Sequence, residues 1–307
     1  MKPPKTPDIK DYIPQDIPVI GPVEDSHLGL SVPEIIFTHG DKKKVLPFIP
    51  HIITKMLRSI YQVKRSYKSL EENRTLDKKE LTPEIKEGLE KLVMELGVSQ
   101  IGYTKVPRNF IFSNKVLLYD VAIVLTMAMR KSELKQAPSV ATSKEVWRAY
   151  AELGSIVNRI SAYLRDQGYA AQAGPALGGE VNYCLLAQKA GLGQIGHHGL
   201  LISKDCGPSQ RIAAVFTNIT NLVPTDNAEH HWITEFCENC RRCERTCPSR
   251  AIYHEKKSFK DGSIECIDFR RCAISFSESL GCSVCIKECT FFNGDYHKIK
   301  DSFYKNR

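Results

Sequence analysis

The 307-residue sequence predicts a fold of mixed α/β (α+β) class followed by a separate C-terminal module, and three observations predict it. Segments with strand and helix patterns alternate up to about residue 225. Of 11 cysteines, nine fall between Cys237 and Cys289. Between the two regions, "VPTDNAEHH" has the polar, proline-bearing composition of a linker. The expected organisation is an N-terminal arm and basic helical segment over 1–90, an α/β core over 91–225 and a cysteine-rich module over 226–307.

The elements follow from local chemistry. Residues 1–40 are rich in Pro, Asp and Ile without a period and read as an extended arm. In "LTPEIKEGLEKLVMELG", Thr82 is an N-cap, Pro83 stands in the first turn and Gly97 is a stop. "VSQIGYTKV" and "KVLLYDVAIVLTMAM" read as strands, the second apolar enough to be central in a sheet. A long helix is expected from Ser143 to Gln167, closed by Gly168, with Trp147, Tyr150, Val157, Ile160 and Leu164 on one face. A short helix, the glycine-rich "AGLGQIGHHGLLI" and the strand "RIAAVFTNI" complete the core.

Net charge is +8 and pI is near 8.8. Much of it is local, because residues 42–70 hold eight Lys/Arg and no acid. There Ile49, Ile52, Ile53, Met56, Leu57, Ile60 and Tyr61 are expected on one helical face. That pattern suits a surface helix packed on the core; it also suits contact with an anionic membrane surface or an acidic partner. No apolar run is long enough for a transmembrane helix, and the N-terminus lacks the apolar region of a leader, so a cytoplasmic protein is expected. Clustered thiols in such a compartment point to metal rather than disulfides.

The cysteine spacing is the most specific signal. "FCENCRRCERTCPSRAI" sets Cys237, Cys240, Cys243 and Cys247 in a C-x2-C-x2-C-x3-C-P run, in which three thiolates bind one cluster and the fourth reaches a second. "RRCAISFSESLGCSVCIKEC" supplies the complement. Chain crossing then places one [4Fe–4S] cluster on Cys237, Cys240, Cys243 and Cys289, and the other on Cys282, Cys285, Cys247 and Cys272. Cys266 is a rival to Cys272, and zinc is the competing metal. Thr290 follows Cys289 where proline is usual. Cys184 and Cys206 read as small buried side chains.

Gly191, Gly193, Gly196 and Gly199 crowd into "AGLGQIGHHG". Either a tight helix-to-strand turn or close backbone approach to a ligand would require them. A dinucleotide site is disfavoured, because a helix precedes the loop and no acidic residue follows at a suitable distance.

Three stretches, "APSVATSKEVWRAYAELGSIVNRISAYLRDQGYAAQ", "AGLGQIGHHGLLISKDCGPSQRIAAVFTNI" and "EFCENCRRCERTCPSRAI", resemble the cobalamin-dependent reductive dehalogenases and, more distantly, epoxyqueuosine reductase. The resemblance covers about residues 95–295. It implies a cobalamin-binding sheet-and-helix core with a ferredoxin-like two-cluster module, and a corrinoid held base-off near Gly191, Gly193, Gly196, His197, His198, Gly199 and Leu200. It implies reduction through Co(I) and a proton donor, Tyr150, assisted by Arg211; packing in the apolar stripe is the alternative role for Tyr150, with Tyr183 and Glu180 as substitutes. Implied partners are a small substrate, halogenated or not, and a low-potential donor such as ferredoxin or flavodoxin, with no DNA.

The epoxyqueuosine reductases carry an aspartate where "AQAGP" offers Gln172, which argues against tRNA chemistry. The respiratory dehalogenases are longer and bear a twin-arginine leader. Two alternatives therefore stand beside a reductase: an electron carrier for a partner's corrinoid and, less favoured, a tRNA-modifying enzyme.

Overall fold

A computed structural model of the chain describes residues 9–14, 16–24, 26, 28, 29, 39, 49–73, 76–279 and 281–305. Most of the expected arm and residues 42–48 of the basic segment lie outside the described residues. Where the arm is described, Ile20 forms a β-bridge with Leu117.

The first long helix, α1 (Ile49–Lys68), packs on α4 (Val140–Asp166), but not through the face its isoleucines predict. Leu57 and Tyr61 are 57% and 60% exposed, whereas Ser59, Gln62 and Ser66 are buried. The reason is Asn158 of α4, whose amide donates to the Gln62 carbonyl at 3.0 Å and accepts from the Ser66 hydroxyl at 3.1 Å. Gly154 allows the approach, since a Cβ there would stand 3.0 Å from the Gln62 Cβ. A satisfied polar seam thus replaces an apolar one.

Helix α2 (Pro83–Glu95) starts as expected, with Thr82 as N-cap and Pro83 at its start, and Gly97 follows with φ +76. Helix α4 begins before Ser143 because the Ser139 side chain caps the Thr142 amide; Gly168 closes it with φ +93.

The sheet runs β1 (Gln100–Lys105), β2 (Val121–Ala128), β6 (Gln210–Thr217), β3 (Ala171–Gly174) in spatial order, antiparallel at every pairing. The central place of β2 agrees with its apolar run. Its period of two divides the core: Ile123, Leu125 and Met127 face α2 and α4, while Ala122 and Val124 face the other side. That second face is covered by α5 (Tyr183–Lys189) and by a hairpin of β4 (Gln194–Ile195) and β5 (Leu201–Ile202). Between β2 and α4 lies the single-turn α3 (Lys131–Leu134).

The cysteine-rich part comprises α6 (Trp232–Cys240), α7 (Arg242–Thr246), the hairpin β7 (Ile252–Ser258) and β8 (Ile264–Ile267), α8 (Phe269–Glu278), α9 (Val284–Lys287), α10 (Thr290–Asn293) and α11 (Tyr296–Lys305). It shares the main core: Trp232, Ile233, Phe291, Phe292 and Tyr296 are continuous with the apolar set of β2 and α4. Cys266 of β8 is inserted into the second face of the sheet, beside Ile195, Leu201 and Ile212.

Candidate functional site

The thiols of the eight expected ligands act on one another in two sets, Cys237, Cys240, Cys243 and Cys289, and Cys247, Cys272, Cys282 and Cys285, with Cys243 also acting on Cys285. In the first, burial raises the Cys237 thiol to about 11, with Cys240 adding repulsion. Burial likewise raises Cys243 to about 12, helped by Cys237 and Cys240, and Cys289 to about 12, helped by Cys237 and Cys243. In the second, burial raises Cys272 to about 11, with Cys282 and Cys247 adding to it. Cys285 is pushed well up by burial and by four thiols, chiefly Cys272 and Cys282. Among the described residues, no group of His, Cys, Asp and Glu side chains is arranged for a single metal ion. Thiolates are the donors that [4Fe–4S] clusters take, so the donor chemistry of each set fits a cluster.

Each quartet has local supports. The backbone amides of His197, Glu244 and Phe291 act on the sulfurs of Cys237, Cys243 and Cys289 and partly offset the effect of burial. Cys247 accepts from the Ala251 amide at 3.3 Å. Thr290, the departure from the expected proline, starts α10 and sets its hydroxyl 3.3 Å from Cys240 Sγ. It therefore does what proline could not, because proline has no donor. Cys282 and Ser283 have φ 37 and 64, left-handed values that L side chains seldom adopt. Cys266 belongs to neither quartet: burial raises its thiol, and the charges that act on it are those of Lys256 and Glu265.

The first set, the inner one because three of its four cysteines are buried, opens on a small cavity lined also by His197, His198, Phe236, Arg241, Arg242 and Thr290. The glycine turn brings both histidines here, although its glycines answer to the chain's own packing. A Cβ at Gly193 would meet the Ile202 carbonyl oxygen at 2.3 Å, and one at Gly199 would meet the Cys266 Cβ at 3.1 Å. The tight-turn reading therefore accounts for these positions.

Sequence reasoning missed a clasp across the same seam. His197 Nε2 lies 3.1 Å from Glu244 Oε2, and the exposed His254 lies 3.1 Å from Oε1 of the same carboxylate. Nothing in the one-letter pattern links positions 47 residues apart. Burial lowers the His197 imidazole, although Glu244 opposes it; burial lowers His198 to about 4, aided by His197 and Lys256. Burial thus favours the neutral form of both rings. His198 Nδ1 accepts from the Leu200 amide at 3.1 Å, which leaves the proton on Nε2. That N–H and His197 Nδ1 are buried and have no partner among the described residues.

Tyr150 and Arg211 also meet. The guanidinium carbon lies 4.2 Å from the centre of the Tyr150 ring, over its face, and Trp147 meets the same ring edge-on at 5.8 Å. The contact is a stack rather than a bond to the phenol oxygen, and Arg211 Nε is buried and unpartnered among the described residues. Tyr183, the substitute, donates its hydroxyl to the Pro175 carbonyl at 3.2 Å. Burial, with the Glu180 charge, pushes its phenol well up. The orphaned nitrogens of His197, His198 and Arg211 are donors and an acceptor of the kind that the amide-bearing edge of a corrinoid engages, so the chemistry of these side chains fits such a group.

No family model matches the chain. A tetrachloroethene reductive dehalogenase of Desulfitobacterium hafniense is 37% identical over 135 residues, 44% of this chain and 24% of the relative. That of Sulfurospirillum multivorans is 32% identical over 182 residues, 56% of this chain and 36% of the relative. The chain is reductive dehalogenase-like. An epoxyqueuosine reductase of Synechocystis matches more distantly, at 38% over 66 residues. The fold of this dehalogenase-like chain agrees: a solved reductive dehalogenase described for B12-dependent dehalogenation superposes with TM-score 0.62 at 19% identity, over 80% of this chain and 39% of that one. The dehalogenase-like chain spans about a quarter to a third of the length of these curated relatives.

Proposed function

We propose that the chain is a corrinoid- and iron–sulfur-dependent reductase that delivers two electrons and one proton to a small substrate (R–X + 2e⁻ + H⁺ → R–H + X⁻). The observation that carries this reading is the cavity that Cys237, Cys240, Cys243 and Cys289 share with His197 and His198, whose ring nitrogens include two buried and unpartnered ones. Cys237, Cys240, Cys243 and Cys289 would hold an inner [4Fe–4S] cluster, and Cys247, Cys272, Cys282 and Cys285 an outer one. Their protonated thiols would release protons as iron loads. A base-off corrinoid, when bound, would supply the low-potential carbon–halogen chemistry.

This chain's residues supply the rest. His198 Nε2–H donates and His197 Nδ1 accepts toward the cofactor edge. Glu244 fixes the tautomer of His197, as a carboxylate does for a functional imidazole. Tyr150 Oη delivers the proton to the carbon that loses its leaving group, and Arg211, charged and above the ring, stabilises the phenolate left behind.

Anaerobic purification with reconstitution tests this: about eight iron atoms per chain and one retained corrinoid are expected. Tetrachloroethene is the first acceptor to try, being the named substrate of the matched relatives. A second reading, an iron–sulfur carrier for a partner's corrinoid, draws on the glycine positions that the chain itself fills. Eight irons without any retained corrinoid would favour it.

A further inference from the structure

The outer quartet is the nearer to solvent. Cys247, Cys272, Cys282 and Cys285 are all half-buried, whereas three of the inner four are buried. Beside it the surface changes character. Of the large apolar side chains that are exposed among the described residues, Ile264, Phe269 and Ile274 fall within one eleven-residue stretch, at 50%, 42% and 44%. Phe269 and Ile274 stand on α8, the helix that carries Cys272. Within three residues of Cys247 and Cys272, the exposed charged side chains are Arg245, Arg250, Arg270 and Arg271. Arg271 keeps a loose pair with Asp268 at 3.5 Å and remains 65% exposed.

We infer that this face, centred on Phe269, Arg270, Arg271 and Ile274, is the docking surface for a small acidic electron-transfer protein of the ferredoxin type. The inference deepens the proposed function and rests on its two-cluster reading. Exposed apolar side chains with these cations near them in the chain, against the single exposed acid of α8, Glu278, suit a partner whose cofactor lies under an acidic rim. The charges steer the encounter, and the small apolar patch permits rapid release. Each docking event moves one electron: the partner's cluster is oxidised by one electron, and the outer cluster passes from the 2+ to the 1+ state. Two encounters supply the pair that reduction of a substrate consumes.

The basic helix α1 is the rival surface, since Leu57 and Tyr61 are exposed there beside Arg58, Lys64 and Arg65. It packs chiefly on α4 and β3, away from the elements that bear the thiols.

The test is anaerobic stopped-flow reduction of the iron-loaded full chain by an acidic two-[4Fe–4S] ferredoxin, with titanium(III) citrate as the small reductant. Arg270→Glu/Arg271→Glu should lower the second-order rate constant with ferredoxin by about tenfold or more at low salt and flatten its salt dependence. Reduction by titanium(III) citrate should stay within about twofold. Phe269→Ser/Ile274→Ser is the companion variant should the charge reversal disturb the cluster; it should slow ferredoxin and spare the small reductant. Unchanged ferredoxin rates in both variants would overturn the proposal. A loss confined to Arg58→Glu/Lys64→Glu/Arg65→Glu would overturn it too and move docking to α1. Iron analysis separates the two levels, because a content near four would defeat the two-cluster reading before any question of docking.

Discussion

Replacement of Tyr150 by Phe separates chemistry from packing. The Arg211 guanidinium lies over the ring face at 4.2 Å and Trp147 meets the ring at 5.8 Å. A phenylalanine ring retains both contacts, which are worth about 0.5–2 kcal/mol for the cation and about 0.5–1.5 kcal/mol for the aromatic pair. The contacts described for Tyr150 are with its ring, so removal of the hydroxyl strands no protein partner. The stability change should therefore stay below about 1 kcal/mol, a midpoint shift of at most a few degrees. Turnover should fall about 10²-fold or more, the usual loss on removing a general acid. Arg211→Lys should be milder than Arg211→Ala, since a point charge still favours phenolate although the planar stack is lost. The assay is single-turnover reduction of tetrachloroethene by the prereduced, cofactor-loaded chain, with thermal unfolding recorded alongside. A Tyr150→Phe variant with wild-type rate and wild-type midpoint would remove the tyrosine from the chemistry and leave it as packing.

Cys272→Ser should lower iron from about eight towards four per chain, while Cys266→Ser keeps both clusters and loses about 1–2 kcal/mol from a hydroxyl set among Ile195, Leu201 and Ile212; the opposite iron counts would exchange their roles. Gly193→Ala should destabilise the chain by about 2 kcal/mol or more in urea unfolding, since its Cβ would press on the Ile202 carbonyl and its φ is 152; a change below about 0.5 kcal/mol would show that the turn can relax. Burial raises the Glu145 carboxyl, but the Arg148 and Arg130 hydrogen bonds and charges outweigh it and hold it below 4.5. A carboxyl depressed on folding contributes stability that is present above its unfolded value and lost as pH falls through the folded one. Glu145→Gln should therefore weaken the chain at pH 7 and flatten its acid unfolding below about pH 4.5, which denaturant titrations at several pH values would measure.

The parts of the fold with strong local causes were legible in the sequence. Thr82, Pro83 and Gly97 bound α2 through cap, first turn and positive φ, all set by nearest neighbours. The apolar run around Ile123 marked a central strand because burial on both faces leaves little choice of residue. Non-local choices were hidden. The α1 face turned on one asparagine of another helix, Asn158, so counting isoleucines misplaced Leu57 and Tyr61. The Glu244 clasp depends on a carboxylate whose partners lie in the glycine turn and in β7. At the site, thiol spacing proposes which cysteines share a centre, since chain stiffness limits which sulfurs can meet, and iron analysis is what decides it. Whether glycines serve a ligand or a turn depends on what stands opposite each one, which no spacing records.

The shared core has a bearing on damage. Cys237 and Cys289 sit in the same apolar mass as Ile123, Leu125 and Val157 of the sheet and long helix. If the proposed inner cluster is present, an oxidant that strips its iron would act on the foundation of the whole molecule rather than on a detachable appendage. Aromatic side chains such as Trp232 and Phe291 would lose part of their enclosure, and loosening should spread into β2 and α4. Oxygen exposure should then register as general protease sensitivity, including cleavage in strands distant from any sulfur.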